Sequence, residues 1–215
     1  MEQTEQLGPY RFVQPEQGFR LGQETLALAA FATLRPGWQV CDLGCGAAPL
    51  LLLLAAREPS LRLCGVELDP AAAELARRNL MENQLDGTVI TGSFRVGQHL
   101  PAAGKCSLVV SNPPWFSSGS GKNGGSARME TDATLSELCR SAGYLLKNGG
   151  RFALVHRPER LCDLVECLRG SDMEPKRMQM IRHSPATPPS AVLLEAVRQG
   201  KPGLEVLPTA YSAEN

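Results

Sequence analysis

Residues 38–80 read WQVCDLGCGAAPLLLLLAAREPSLRLCGVELDPAAAELARRNL. WQVCDLGCG (38–46) has the β-branched and apolar content of a buried strand that runs into a glycine turn. The chain from Ala48 to Arg57 is almost wholly apolar and reads as a buried helix. LRLCGVELD (61–69) is a second strand, and Pro70, suited to the first turn of a helix, opens PAAAELARRNLMENQ. Neither strand alternates polar with apolar residues, so both faces are expected to be covered, as in a parallel sheet between layers of helices.

The same pattern continues on both sides. TVIT (88–91) and CSLVVS (106–111) read as further strands, Thr131 to Leu146 as an amphipathic helix ending at Asn148-Gly149-Gly150, and RFALVH (151–156) as a fifth strand. RPERLCDLVECLRG (157–170) makes the next helix. KRMQMIRH (176–183) and SAVLLEAVRQG (190–200), separated by PATPP, would form a late antiparallel pair. Upstream, QETLALAAFATL (23–34) is a buried helix stopped by Pro36-Gly37. Residues 1–22, with four Gln, three Gly and two Pro, are expected to be an irregular N-terminal arm, and 23–215 a single α/β doubly wound domain. Residues 117–126 hold four Ser and four Gly and are expected to form a mobile loop.

The whole chain has 215 residues, 43% of them hydrophobic, with 22 basic and 22 acidic side chains, which excludes disordered, collagen-like and coiled-coil classes. Its longest apolar stretch, Ala47 to Ala56, is half of what a membrane span requires and contains Pro49. The N-terminal residues lack a signal-peptide pattern, so a cytoplasmic protein without membrane contact is expected. Seven cysteines, an odd number without any CxxC pair and mostly inside apolar runs, are expected to be reduced packing residues rather than metal ligands.

Ligands of open parallel sheets bind beyond the carboxyl ends of the strands. The first strand ends in Asp42-Leu43-Gly44-Cys45-Gly46, where two glycines allow a tight turn beneath a ligand. A GxG turn can also serve the backbone alone. The dinucleotide pattern is incomplete, since Ala47, Ala48 and Pro49 follow, and Asp42 would repel a phosphate. A cationic, phosphate-free nucleoside suits this loop better. Twenty-one residues after Gly46, Glu67 closes the second strand, where a carboxylate can accept both ribose hydroxyls. Asp69-Pro70 reads as a helix cap.

The fourth strand ends in Ser111-Asn112-Pro113-Pro114-Trp115. Two prolines stiffen the turn. The Asn112 side-chain oxygen and the Pro113 carbonyl would then stand as neighbouring acceptors beside an aromatic stacking surface. A planar amine donating both hydrogens to them would turn its nitrogen lone pair toward an incoming methyl group, with no ionising base required. In isolation NPPW is also a plain proline turn with a partly buried Trp.

DLGCG, VELDP and NPPW, in this order and spacing, resemble the class I S-adenosylmethionine-dependent methyltransferases. The resemblance implies a seven-stranded, mostly parallel Rossmann-like sheet with its last strand antiparallel. It implies S-adenosyl-L-methionine as cofactor, with Asp42, Gly44, Cys45 and Gly46 around its methionine part and Glu67 and Leu68 at the ribose. After the third strand the family often has an acid beside the adenine, where this chain has Ser93 and Phe94. Asn112, Pro113, Pro114 and Trp115 match the family's (N/D)PP(Y/F/W) motif, which implies methylation of a nitrogen conjugated to a π system.

GFRLGQETLALAAFA (18–32), ARME (127–130), LLKNGGRFALVHRPERL (145–161), EPKRMQMIRH (174–183) and VLLEAVRQGKPGL (192–204) are similar to bacterial tRNA adenine-N6-methyltransferases that modify tRNA(Val) at the adenine beside the anticodon. Two positions depart from that pattern: Glu24 stands for the common Asp, and Met129 for the His of ARHE. The resemblance implies an RNA partner, and the charge distribution agrees: residues 1–90 hold 7 basic and 11 acidic side chains, residues 91–215 hold 15 and 11. Lys122, Arg128, Arg157, Arg160, Lys176 and Arg177 are the expected phosphate contacts, among a wider set with Arg151, His156, Arg182 and His183 near the strand ends. RPER also reads as a helix-start charge cluster. Protein glutamine N5-methylation, which uses the same NPP geometry, and a catalytically silent RNA-binding module are the alternatives.

Overall fold

The computed structural model describes residues 2–15, 21–95, 100–113 and 132–212. Its elements are β1 (Glu2–Leu7), β2 (Tyr10–Pro15), α1 (Gln23–Phe31), β3 (Gln39–Leu43), α2 (Pro49–Arg57), β4 (Arg62–Glu67), α3 (Pro70–Glu82), β5 (Gly87–Thr91), β6 (Cys106–Ser111), α4 (Asp132–Leu145), β7 (Leu146–His156), α5 (Leu161–Arg169), β8 (Met173–Arg182), β9 (Ala191–Arg198), β10 (Glu205–Val206) and β11 (Ala210–Tyr211). A short 3-10 turn, Pro158–Arg160, leads into α5.

Strand order in the main sheet is β10-β8-β9-β7-β6-β3-β4-β5. β5, β4, β3, β6 and β7 run parallel, and β9 is inserted antiparallel between β7 and β8. The seven-stranded doubly wound sheet expected from the sequence is present, extended at the β8 edge by the two-residue strands β10 and β11, which the sequence reading did not anticipate. The chain builds outward from β3 through β4 to β5, then returns to β6 on the other flank of β3. The crevice between β3 and β6 is therefore the topological switch point, where a ligand is expected.

Two cores cover the faces. Leu28 of α1, Leu51, Leu52 and Leu54 of α2 and Leu80 of α3 pack on one face, while Leu135, Leu138 and Leu145 of α4 and Leu164 and Leu168 of α5 pack on the other. Five of the seven cysteines are buried free thiols, Cys162 is exposed and Cys167 lies between. Among the described residues no helix is long and apolar enough to cross a membrane.

Two local expectations need correction. The N-terminal arm is not irregular over residues 2–15: it is an antiparallel hairpin running from Glu2↔Pro15 to Leu7↔Tyr10. Phe12 and Val13 are buried, and Asn79 of α3 and Asn83, the residue that caps its carboxyl end one turn on, engage the β2 backbone. Asn79 accepts from Val13 N (2.9 Å) and donates to Val13 O (2.8 Å) and Ala47 O (2.9 Å), while Asn83 accepts from Arg11 N (2.9 Å) and donates to Arg11 O (2.7 Å). Helix spacing of four thus matches strand spacing of two. Second, Asn148-Gly149-Gly150 does not separate α4 from the strand: β7 begins at Leu146, and the ladder to β6 slips between Cys106↔Leu146 and Leu108↔Arg151, with Gly149 at φ +74°.

Candidate active site at the sheet's carboxyl edge

Four neighbouring strands deliver the expected residues to one edge. β3 ends in Asp42-Leu43, β4 in Glu67, β5 leads to Ser93-Phe94 and β6 to Asn112-Pro113. Their loops are stitched together by backbone bonds: Gly44 N and Cys45 N donate to Val66 O (2.8 and 3.2 Å), and Gly92 N donates to Glu67 O (2.8 Å). At the switch point Ser111 Oγ, fully buried, donates to Leu43 O at 2.7 Å, holding the β6 end against the β3 end.

The glycine loop is shaped from beneath. Gly44 and Gly46 sit at φ +80° and +54°, a region that L side chains rarely adopt. Cys45 turns its thiol inward, 3% exposed, and packs on Gly65, where a Cβ would come within 2.5 Å of Cys45 Sγ. Ala48 takes the same left-handed conformation at φ +67° just before Pro49 opens α2, whose first turn has no side-chain cap.

Glu67 is fixed by this loop. Gly46 N donates to its Oε2 at 2.7 Å and Asp69 N to its Oε1 at 2.9 Å. Each carboxylate oxygen has two lone pairs, so each keeps one for a hydroxyl donor. Leu68 beside it is 65% exposed, an apolar side chain at the ligand edge. Asp69 caps α3, accepting from Ala71 N at 3.0 Å, as its sequence context predicts. Past β5, Ser93 Oγ accepts from Arg95 N (3.2 Å), and Phe94 is half-buried against the α4 core, its carbonyl accepting from Ser141 Oγ (2.9 Å).

Asp42 is the anomalous group. It is 2% exposed, and its Oδ1 has no hydrogen-bond partner among the described residues. Burial, and then the nearby Glu67 charge, push its carboxyl well above the usual carboxylate range. A buried acid with an unmet acceptor beside a second acid is a place for a cation, and together with the Glu67 lone pairs it fits the sulfonium nucleoside S-adenosylmethionine. The sign of its pH effect follows from the raised pKa. The folded state holds the Asp42 proton more tightly than the unfolded chain, so stability from this group is present at low pH and lost as pH rises through the raised value. Asp42→Asn is accordingly expected to remove this part of the fall in Tm with rising pH, so that the variant gains on the native chain as pH rises. The same change is expected to weaken binding of the cationic cofactor by about tenfold or more, as loss of a charged partner does. Thermal shift across pH and calorimetry check the two; a Tm difference that does not grow with pH would contradict a destabilising buried charge.

At the β6 end, Asn112 Nδ2 donates to Thr25 Oγ1 of α1 at 2.9 Å. One of the two amide hydrogens is thereby taken within the protein, and Oδ1 remains an acceptor. Pro114, Trp115, Lys122, Arg128 and the loop 117–126 lie outside the described residues. The sequence did not single out Thr25; its only signal was a polar residue on the apolar side of a helix.

The expected basic surface divides. Arg157 and Arg160 follow the carboxyl end of β7, on the same edge as Asn112, and Arg160 pairs with Asp163 (2.6 Å), whereas His156, the last residue of β7, is fully buried with its Nδ1 accepting from Arg157 N (2.9 Å) and so does not face a phosphate. Arg177 belongs elsewhere: it lies mid-strand opposite Glu195, donates to Phe31 O (3.1 Å) and Thr33 Oγ1 (3.0 Å), and stacks over the Phe31 ring at 4.7 Å. Lys176, near the amino end of β8, donates to Lys201 O (3.1 Å), and Arg151 pairs with Glu195 (2.6 Å). Arg151, Lys176 and Arg177 therefore do not share the edge of the site, because the antiparallel insertion of β9 sets β8 in register with β7 and places these positions well before the strand ends. Glu195, fully buried, also accepts from Thr33 N and Thr33 Oγ1, both at 2.8 Å. A Glu inside the apolar run VLLEAV was the sequence signal for this buried node, and it went unread.

Comparison with known proteins agrees with this geometry. The family model described as methyltransferase small domain matches residues 21–166. The tRNA1(Val) (adenine(37)-N6)-methyltransferase of Porphyromonas gingivalis is 30% identical over 187 residues, covering 82% of this chain and 73% of that protein. The protein of the same name from Dickeya chrysanthemi is 32% identical over 187 residues, covering 85% and 74%. Among solved structures, a predicted O-methyltransferase from Agrobacterium tumefaciens superposes with a TM-score of 0.73 at 18% identity over 87% of this chain and 86% of that one. The geranyl diphosphate C-methyltransferase of Streptomyces coelicolor, solved with S-adenosyl-L-homocysteine, gives 0.59 at 15% identity over 80% and 79%. At these identities the two structures speak to the fold.

Proposed function

The chain belongs to the methyltransferase small domain family, and from that premise we propose that it transfers a methyl group from S-adenosylmethionine to N6 of an adenine in tRNA, the one beside the anticodon. The observation that carries this reading is Asn112. Its amide NH2 donates to Thr25 Oγ1 beside the switch point, and among the described residues its oxygen accepts no hydrogen bond, next to a loop where buried Asp42 Oδ1 also has no partner among them. The relatives named above are tRNA adenine-N6-methyltransferases and match 82% and 85% of this chain.

When bound, S-adenosylmethionine supplies an electrophilic methyl on a positively charged sulfur. Asp42 would offer that charge a buried counter-charge, and Glu67 would receive the ribose hydroxyls on the lone pairs that Gly46 N and Asp69 N leave open. Asn112 Oδ1 and the Pro113 carbonyl accept the two hydrogens of the adenine amine. This holds the base in one plane and draws electron density toward the nitrogen, which is otherwise delocalised into the ring. The amine loses its proton after attack, so the edge needs no ionising base. The base must be flipped out of its stack to reach this position, a cost that is small beside the anticodon, where the loop is single-stranded.

Labelled methyl donor incubated with separate pools of tRNA, ribosomal RNA, DNA and release factors, followed by nucleoside and amino-acid analysis, tests the assignment. Label in N6-methyladenosine of tRNA is expected. Label in protein glutamine would reject it, and absence of any S-adenosylmethionine binding in calorimetry would turn the chain into a silent RNA-binding module.

A further inference from the structure

We propose that Thr25 is the positioning residue of the methyl-accepting site: its hydroxyl takes the Asn112 NH2 group and thereby turns the Asn112 oxygen toward the target amine. The inference rests on the assignment of Asn112 as the acceptor of that amine. A side-chain amide has two faces, and rotating it by half a turn exchanges oxygen for NH2 with almost no change in shape. For this site the exchange is not neutral. A planar amine brings two donors, so an Asn112 with NH2 outward would set donor against donor and leave buried hydrogens unpaired.

The bond that selects the productive rotamer joins residues 87 apart in sequence, Asn112 Nδ2 to Thr25 Oγ1 at 2.9 Å. Thr25 is 2% exposed, so water does not compete for its lone pairs. Its backbone N–H is committed to Gly22 O at 3.1 Å. The Thr25 hydroxyl oxygen accepts from the Asn112 amide here, on one of its two lone pairs. The β-branched side chain is also stiff at χ1, which fixes where that oxygen stands.

Thr25 in turn stands on an anchored helix. At the far end of α1, Thr33 N and Oγ1 donate to buried Glu195, Arg177 donates to Phe31 O, and Arg57 donates to Ala29 O and Ala32 O. These bonds hold α1 against the sheet independently of the catalytic edge, so the hydroxyl is a fixed post rather than a follower of Asn112.

The test combines a spectroscopic and a kinetic reading on the full chain. In 15N-labelled protein the Asn112 side-chain NH2 signals, identified by their loss in Asn112→Asp, are expected to exchange slowly with water. They are expected to shift and exchange faster in Thr25→Val, and to recover in Thr25→Ser. In methyl transfer to tRNA, Thr25→Val is expected to lower kcat about 10- to 100-fold, with the Kd for S-adenosylhomocysteine changed less than about twofold and Thr25→Ser restoring most of the rate. In an Asn112→Ala background Thr25→Val is expected to cost nothing further, because there is no amide left to orient. Unchanged Asn112 amide signals in Thr25→Val, or losses that add in the double variant, would overturn the role. The two failures are distinguishable. A responsive amide signal without transfer to tRNA removes the proposed substrate, whereas transfer to tRNA with a silent amide signal removes the role of Thr25.

Discussion

Asn112→Ala is expected to lower kcat for methyl transfer to tRNA about 10²–10³-fold, as loss of one preorganised hydrogen-bond partner at a reacting centre does. The Kd for S-adenosylmethionine is expected to change less than about threefold. The separation follows from where the residue stands. Asp42, Gly44, Gly46 and Glu67 lie on the β3 and β4 loops and are tied to one another through Val66 O and Glu67. Asn112 lies across the switch point, joined to α1 through Thr25 and to β3 through the β6 ladder and the neighbouring Ser111 hydroxyl. Removing its side chain leaves the Glu67 cradle unchanged, but takes away one of two acceptors that orient the amine. Single-turnover methylation and calorimetric cofactor titration give the two numbers. An active Asn112→Ala variant would mean that the Pro113 carbonyl suffices, and the proposed geometry would fall.

The largest stability effect is expected at Glu195. Glu195→Ala is expected to destabilise the fold by about 3–5 kcal/mol, the cost of stripping one partner from a buried ion-pair network, and to lower the Tm by roughly 6–20 °C in a chain of this size. Glu195 is fully buried and accepts from Thr33 N, Thr33 Oγ1, Arg151 and Arg177. Without the carboxylate, two guanidiniums that are about a quarter exposed face each other across an empty position. The Thr33 amide at the end of α1 loses its acceptor as well. Glu195→Gln, which keeps the volume and one acceptor, is expected to lose less. Chemical denaturation measures the difference. Equal stability of Glu195→Ala and the native chain would show that the network offsets only its own desolvation.

Several parts of this fold were legible because their cause is local. Asp42-Leu43-Gly44-Cys45-Gly46 signals its turn through glycines that only positive φ explains, and Asp69-Pro70 signals a helix start through a capping carboxylate and a proline in the first turn. Apolar runs of strand length, such as CSLVVS, signal burial on both faces, and β6 is buried along its whole length. The N-terminal hairpin was missed for the opposite reason. Its strands carry Glu2, Gln3, Gln6 and Arg11 outward, and what holds them is a pair of asparagines in and just past a helix 66 to 72 residues away. No window of neighbouring residues contains that information.

The basic residues show the same division. A rising share of Arg and Lys after residue 90 is a property of composition, but which of them reach the site depends on register. Arg157 and Arg160 stand at the β7 end, while Arg177 is spent on Phe31, Thr33 and Glu195. Antiparallel insertion of β9 is what sets that register, through the pairings Arg177↔Glu195 and Glu195↔Ala153.

The amino-acid sequence by itself determined the succession of strands and helices, the loops that would meet at the carboxyl edge, and the residue types on them: an acid in a glycine turn, an acid closing the next strand, and an Asn before two prolines. Each of these is dictated by backbone restrictions and apolar periodicity within a few neighbouring positions. Tertiary structure alone decided that Asp42 is buried with an unmet acceptor, that Thr25 fixes which face of the Asn112 amide looks outward, and that Glu195 anchors the helix carrying Thr25. Those outcomes depend on contacts between residues 87 and 162 positions apart. A hydrogen bond of that range exists only once packing has brought its two ends within 3 Å.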